Sequence, residues 1–240
     1  ESFNVMVESL AASKKESDEF LSMAAHDLRH PLSIIIQAAS ILENETEAKA
    51  INHQPKLIQM IKKASASMQN LLNNMLMIHS FESLAFQIKP QKVNIKQFAQ
   101  NNFEINQLQA KNKNIDFKLE MQAESEYSFF DEEKITQVIN NLLSNAFKFS
   151  PPGSSVTLAI QSTASKLKVE VKDEAGGIPE SEKTKVFTKF AKISVKPTGG
   201  ETSHGLGLAI CHDIVKAHGG QIGFHSVQGK GSVFYFELSI

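Results

Sequence analysis

One cysteine in 240 residues, Cys211, excludes an internal disulfide and leaves that side chain the role of a small apolar residue. Neither sign of charge is in excess: 25 basic and 26 acidic residues give a formal net charge of −1. A chain without a basic field lacks the electrostatic footprint of nucleic-acid binding, so no nucleic-acid partner is expected. No apolar run approaches the ~20 residues of a membrane helix, and Ile34-Ile35-Ile36 is among the longest. No signal peptide is visible either, so no direct membrane contact is expected of this fragment. Beginning at Glu1 rather than Met, it reads as a piece of a longer protein. Glycine is absent between Phe3 and Leu42, and proline occurs there once, at Pro31.

What remains is ordinary globular composition, 41% apolar and 21% charged. Apolar or small residues recur at Phe3, Val7, Leu10, Ser17, Leu21, Ala24, Leu28, Ile35, Ala38 and Leu42. Steps of four and three make this a heptad seam. After a polar stretch, "ENETEAKAINHQP" at 43–55, a second seam runs Leu57, Ile61, Ala64, Met68, Leu71, Met75 and Ile78. Two such helices predict an antiparallel hairpin. A lone hairpin buries little, so two copies are expected to pair into a four-helix bundle, a homodimer.

The pattern changes at "IKPQKVN", where Pro90 breaks the helix. This divides the chain into 1–88, a helical hairpin, and 89–240, an α+β domain. In the second part "VNIKQFAQNNFEINQLQAKN" reads as a short strand and a helix. "IDFKLEM", "SSVTLAIQ", "KLKVEVKD" and "KGSVFYFELSI" read as strands, most of them alternating with period two. Helices against an antiparallel or mixed sheet are the expected architecture.

"DEEKITQVINNLLSNAFKFS" at 131–150 opens on Asp131, a good N-cap. Its core stripe is Ile135, Val138, Leu142, Ala146 and Phe149. Beside it Gln137, Asn141, Asn145 and Lys148 step by four, four and three, and so share a face. Amide oxygens suit a hard cation such as Mg²⁺ and lysine suits phosphate, though a merely solvated face gives the same pattern. Downstream, "VKDEAGGIPE" puts Asp173 at a strand end before two glycines, and Gly205 and Gly207 open a helix. Free N–H groups and a positive dipole end make such a glycine-rich helix start an anion site.

"MAAHDLRHPLS" at 23–33 carries two histidines four apart. His26 lies midway between seam residues Ala24 and Leu28 and so faces away from the seam. A zinc pair, a phosphate acceptor and no role at all are the three readings. Zinc wants a third ligand at short spacing, and none follows. An imidazole with Asp27 accepting from Nδ1–H keeps Nε2 free to attack. Pro31 offers no N–H to the Asp27 carbonyl, which predicts a local bend in the helix.

In order along the chain these segments resemble the catalytic core of sensor histidine kinases of two-component systems. "HDLRHPL" stands in the place of the H box, "NNLLSNAFKFS" of the N box and "DEAGGI" of the G1 box. "VFTKF" resembles the F box, "SHGLGL" the G2 box and "GKGS" the last glycine box. The resemblance implies the left-handed βαβ ATPase sandwich shared with type II topoisomerases, with ATP and Mg²⁺ as cofactors. By position Asn145 would hold Mg²⁺ with help from Asn141, Lys148 would meet the phosphates, and Phe149 would lie against the adenine. Asp173 would accept from the adenine amino group, and Gly177, with Ile178 beside it, would let the backbone approach the base. Residues 190–204 would be a mobile lid. Lys192 takes the place of a phosphate-binding arginine, and Gly205, Leu206 and Gly207 would present N–H groups to phosphate.

The implied function is ATP-dependent autophosphorylation on His26, with Asp27 orienting it, then transfer to an aspartate on a response regulator receiver domain, in the cytoplasm. Ala175 and Ser203 replace the first glycines of the G1 and G2 boxes and add a Cβ where φ > 0 is expected. His204 takes the Thr/Ser place of the G2 box, and His30 the place of a threonine or asparagine tied to phosphatase activity. These departures keep open a second reading, a catalytically weakened scaffold of the same fold.

Overall fold

The computed structural model describes residues 2–44, 47–82, 86–163, 165–191, 193–199 and 205–239. By internal contacts they form two compact units, Glu1–Leu76 and Met77–Ile240.

The first unit is built from α1 (Ser2–Asn44) and most of α2 (Glu47–Glu82). Burial recurs every seven residues, at Ala24, Pro31 and Ala38 on α1 and at Leu57, Ala64 and Leu71 on α2. This is the seam by which the helices cover each other. Leu28, Ile35, Ile61 and Met68 are only half-buried. The expected seam positions 3, 7, 10, 17 and 21 lie outside the described side chains. The helix continues through Pro31, with the ring inside the seam. One expectation needs correction. The polar stretch 43–55 is mostly helix, since α2 starts at Glu47 and contains Pro55. Its "EAKA" segment is made of strong helix formers, which no apolar pattern announces.

The second unit has a five-stranded mixed sheet in the order β2-β4-β5-β7-β6. Its strands are β2 (Asp116–Ala123), β4 (Ser155–Ser162), β5 (Lys166–Asp173), β6 (Gln221–Val227) and β7 (Gly231–Ser239). β1 (Gln91–Asn94) and β3 (Tyr127–Phe130) form a separate antiparallel pair. β2 and β4 are parallel, the other neighbours antiparallel. Parallel pairing needs a crossover, supplied by β3 and α4 (Glu132–Phe149).

Helices α3 (Ile95–Asn112), α4 and α5 (Gly207–Ala217) pack against the sheet. Leu158 and Ile160, Leu167, Val169 and Val171, and Phe236 and Leu238 are fully or almost fully buried at period two along β4, β5 and β7. Ile135, Val138, Ile139, Leu142 and Phe147 of α4 are equally buried. Each such side chain contributes roughly 1.5–3 kcal/mol relative to exposure. Asp131 caps α4, accepting from the N–H of Lys134 at 3.1 Å, and also accepts from the N–H of Lys89 at 2.8 Å.

Candidate functional site

On α1, Nδ1 of His26 lies 3.2 Å from Oδ1 of Asp27. The His26 side chain is 75% exposed and that of Asp27 24%, so the acid is half sheltered while the imidazole meets solvent. His30 and Arg29 are also exposed. Among the described residues no group of three or more His, Cys, Asp or Glu is arranged to hold a metal ion.

In the second unit a pocket opens between α4, the loop after β5, the segment 193–199, the start of α5 and β7. Asn145, Ala146 and Phe149 come from one side of α4, because positions 145, 146 and 149 share a helix face. Asp173, Ala175, Gly177 and Ile178 come from the loop after β5. Leu208, Val186, Ile193, Val195 and Phe234 give the pocket apolar walls, suited to a flat, apolar-faced ligand.

Asp173 is the titratable group of this pocket. Oδ1 accepts from the N–H of Ala175 and of Ser232, each at 3.0 Å. Both bonds fall on one oxygen, which leaves Oδ2 for a ligand. Burial raises the carboxyl to about 6, and the two N–H donors only partly oppose this. The loop that carries Asp173 is braced by the β6–β7 turn. The N–H of Ile178 donates to Oγ of Ser226 at 2.8 Å, and that of Gly229 to the carbonyl of Gly176 at 2.8 Å. Gly177 has φ +67, and a Cβ there would collide with the Val227 carbonyl. The glycine is therefore required by the turn beneath it, whatever occupies the pocket.

Of the residues expected in one site, Asn145, Phe149, Asp173, Gly177 and Ile178 come together. Asn141 faces α5: its Nδ2 is 3.5 Å from the Gly207 carbonyl. Gln137, on the same expected stripe, donates to Sδ of Met77 at 3.3 Å. Lys148 contributes its carbonyl to a lattice of donors, accepting from the N–H of Thr198 at 3.0 Å and from Nζ of Lys113 at 2.6 Å. Gly205, at φ +67, packs its α-carbon against the backbone of Phe190 and Ala191, and its carbonyl accepts from the N–H of Phe190 at 2.8 Å. Leu206 is buried, and Gly207 starts α5 against Asn141. Lys192, Ser203 and His204 lie outside the described residues. Ala175 is not at positive φ, so its Cβ causes no backbone strain, contrary to expectation.

No motif pointed to Ser226, which braces the loop; Ser232 fell in "GKGS" and Ile193 and Val195 in the expected lid, without these roles. Cys211 is fully buried in α5, its thiol pushed up to about 12 by that burial, and is chemically inert. Among the described residues no helix is long and apolar enough to cross a membrane.

Two family models match. The His Kinase A (phospho-acceptor) domain covers residues 16–84, and the histidine kinase-, DNA gyrase B-, and HSP90-like ATPase covers residues 130–240. The sensor histidine kinase WalK of Bacillus subtilis is 33% identical over 230 residues, covering 93% of this chain and 37% of its own length. The adaptive-response sensory kinase SasA of Synechocystis sp. is 32% identical over 231 residues, covering 93% of this chain and 59% of its own. The chain thus spans a third to three fifths of these relatives. The solved structure of histidine kinase ThkA with response regulator protein TrrA has the same fold. It matches with TM-score 0.67 and 22% identity over 92% of this chain and 61% of that one. With a phospho-acceptor model followed by an ATPase model, and these relatives aligned along both, the chain belongs to the histidine kinases, as a catalytic core.

Proposed function

We propose that this chain catalyses ATP-dependent phosphorylation of its own His26 and then passes the phosphoryl group to an aspartate on a response regulator receiver domain. The observation that carries this is the pocket where Asn145, Phe149 and Asp173 converge, with one oxygen of a buried carboxylate left for the amino group of a base. Asp27 holds the proton on Nδ1 of His26, which puts the lone pair on Nε2. Nε2 attacks the γ-phosphorus, the N–P bond forms as the P–O bond to ADP breaks, and ADP leaves. The receiver's carboxylate then attacks phosphorus, the N–P bond breaks, and the neutral imidazole returns. ThkA was solved with a response regulator, which supports the same class of partner here.

Mg²⁺ would be held by the Asn145 amide oxygen, with Asn141 nearby. One or two protein oxygens suit an ion that keeps most of its waters and shares phosphate oxygens. When bound, it neutralises phosphate charge. In this reading Lys148 would meet the phosphates, with Lys192 and the N–H groups of Gly205, Leu206 and Gly207.

The domains are taken as 1–88, dimerisation and phosphotransfer, and 89–240, ATP binding. Leu32, Ile36, Leu72 and Leu76 are 45%, 59%, 50% and 61% exposed. On a two-helix unit such a stripe fits a second copy, which supports a homodimer. The setting is cytoplasmic, where ATP and receiver domains meet. The scaffold reading loses support at Ala175, whose φ is not positive.

The test is incubation with ATP labelled on the γ-phosphate. Wild type takes up label and Asn145→Ala takes up none, at an unchanged melting temperature. Nucleotide binding without label in wild type would favour the scaffold.

A further inference from the structure

The segment 193–199 lies in the stretch expected to be a mobile lid, yet it is tied down at two points. Ser194 donates twice to Oε2 of Glu182, from its N–H at 2.9 Å and from Oγ at 3.1 Å. Glu182 sits on the 3₁₀ turn Glu180–Lys185. Four residues on, Thr198 donates from its N–H to the Lys148 carbonyl at 3.0 Å. Its Oγ1 reaches the Ser150 carbonyl at 2.8 Å and the Lys148 carbonyl at 3.2 Å. The second anchor therefore grips the end of α4, the helix that carries Asn145 and Phe149.

At the first anchor the chain bends at Ser194 and turns again at Thr198. Ile193 and Val195 line the pocket, while Ser194 between them turns to Glu182. A Cβ built on Gly176 would lie 3.9 Å from Cγ1 of Val195, so Val195 rests over the loop that follows Asp173. Pro197, with φ fixed by its ring, precedes the second anchor.

We propose that Glu182 and Thr198 are positioning residues that clip segment 193–199 in place as a preformed apolar roof of the nucleotide pocket, so that they set how long a nucleotide stays bound. The proposal rests on the nucleotide reading of that pocket. The roof residues touch the pocket, and the clip residues act through them. Because the clip ends on carbonyls of α4, the roof and the floor residues Asn145 and Phe149 form one piece before any ligand arrives. The clip adds no reacting group and predicts no change in the chemistry of His26.

The experiment measures amide exchange on nucleotide-free protein and release of a fluorescent ADP analogue. In wild type the N–H groups of Ser194 and Thr198 are protected. Thr198→Val keeps shape and N–H but loses the hydroxyl bonds, and Glu182→Ala removes the acceptor of Ser194. Each is expected to speed exchange of these amides and ADP release by about tenfold, the scale of one net hydrogen bond. Thr198→Ser restores both to wild type, which a loss of folding would not. Wild-type amides exchanging at the rate of an unstructured peptide would overturn the proposal. So would unchanged ADP release in both variants. Protected amides in a wild type that binds no ADP would overturn it by another route, through failure of the nucleotide reading itself.

Discussion

Nδ1 of His26 and Oδ1 of Asp27 are neighbours in sequence and 3.2 Å apart in space, on a helix face turned to solvent. In the proposed reaction the acid holds the proton on Nδ1 and the other nitrogen is left for attack.

Substitution at this pair tests the assignment. His26→Gln is expected to abolish phosphorylation, and Asp27→Ala to lower its rate by roughly 10²-fold, the scale of a lost acid–base or orienting partner. His30→Thr should keep the label. The product should be acid-labile and base-stable. Label surviving in His26→Gln and lost in His30→Gln would move the site.

Asp173 gives a pH dependence with two opposite faces. Its folded-state pKa of about 6 lies above the ordinary value of 3.8. The folded protein therefore binds an extra proton between those values, and that contribution to stability is lost as pH rises through about 6. At neutral pH the buried carboxylate costs on the order of 2–3 kcal/mol. Asp173→Asn should therefore raise the melting temperature at pH 7. Nucleotide binding runs the other way, because the ligand needs an unprotonated oxygen. Calorimetry should show ADP affinity falling about tenfold per unit below pH ~6, and little binding at any pH in the Asn variant.

Gly177→Ala should be far costlier than its one methyl group suggests. The positive φ costs roughly 1–2 kcal/mol, and the collision with the Val227 carbonyl adds to it. Gly153, at φ +85, has open space around its α-carbon. Thermal unfolding of Gly177→Ala and Gly153→Ala separates the two effects, with the larger loss expected at 177.

The exposed stripe of the hairpin predicts the state of association. Leu72→Glu or Ile36→Glu should turn a dimer into a monomer in sedimentation equilibrium at micromolar concentration, with helix content by circular dichroism little changed. A wild type already monomeric there would remove the four-helix bundle.

Much of the architecture was legible because alternation and heptads are local signals. β2, β4, β5 and β7 each show the pattern their faces demand. β3 is four residues, too short to alternate convincingly. β6 was hidden by Gly223, against which the Tyr235 ring packs. Pro31 carries the expectation of a local bend, and α1 continues through it with the ring in the seam. In the site, Asn145, Phe149, Asp173, Gly177 and Ile178, which the family resemblance had put together, line one pocket. Along the stripe on α4, Gln137, Asn141 and Asn145 share a face yet meet three different neighbours. Helical periodicity tells which way residues point, and not what is waiting there. Ser226 and Ser232 reach the loop after β5 only through strand pairing, which no local window records.

The Ser232 N–H reaches Asp173 from a position 59 residues later in the chain. During synthesis Asp173 leaves the ribosome long before that donor, and before Gly231, whose α-carbon packs against the Asp173 carbonyl. The pocket is therefore finished by β7, a strand that inserts between β5 and β6. A chain that lacks β7 keeps the earlier motifs but not the Ser232 N–H that Oδ1 of Asp173 accepts. In the proposed nucleotide reading, only copies in which β7 has paired gain the stabilisation that a bound ligand brings.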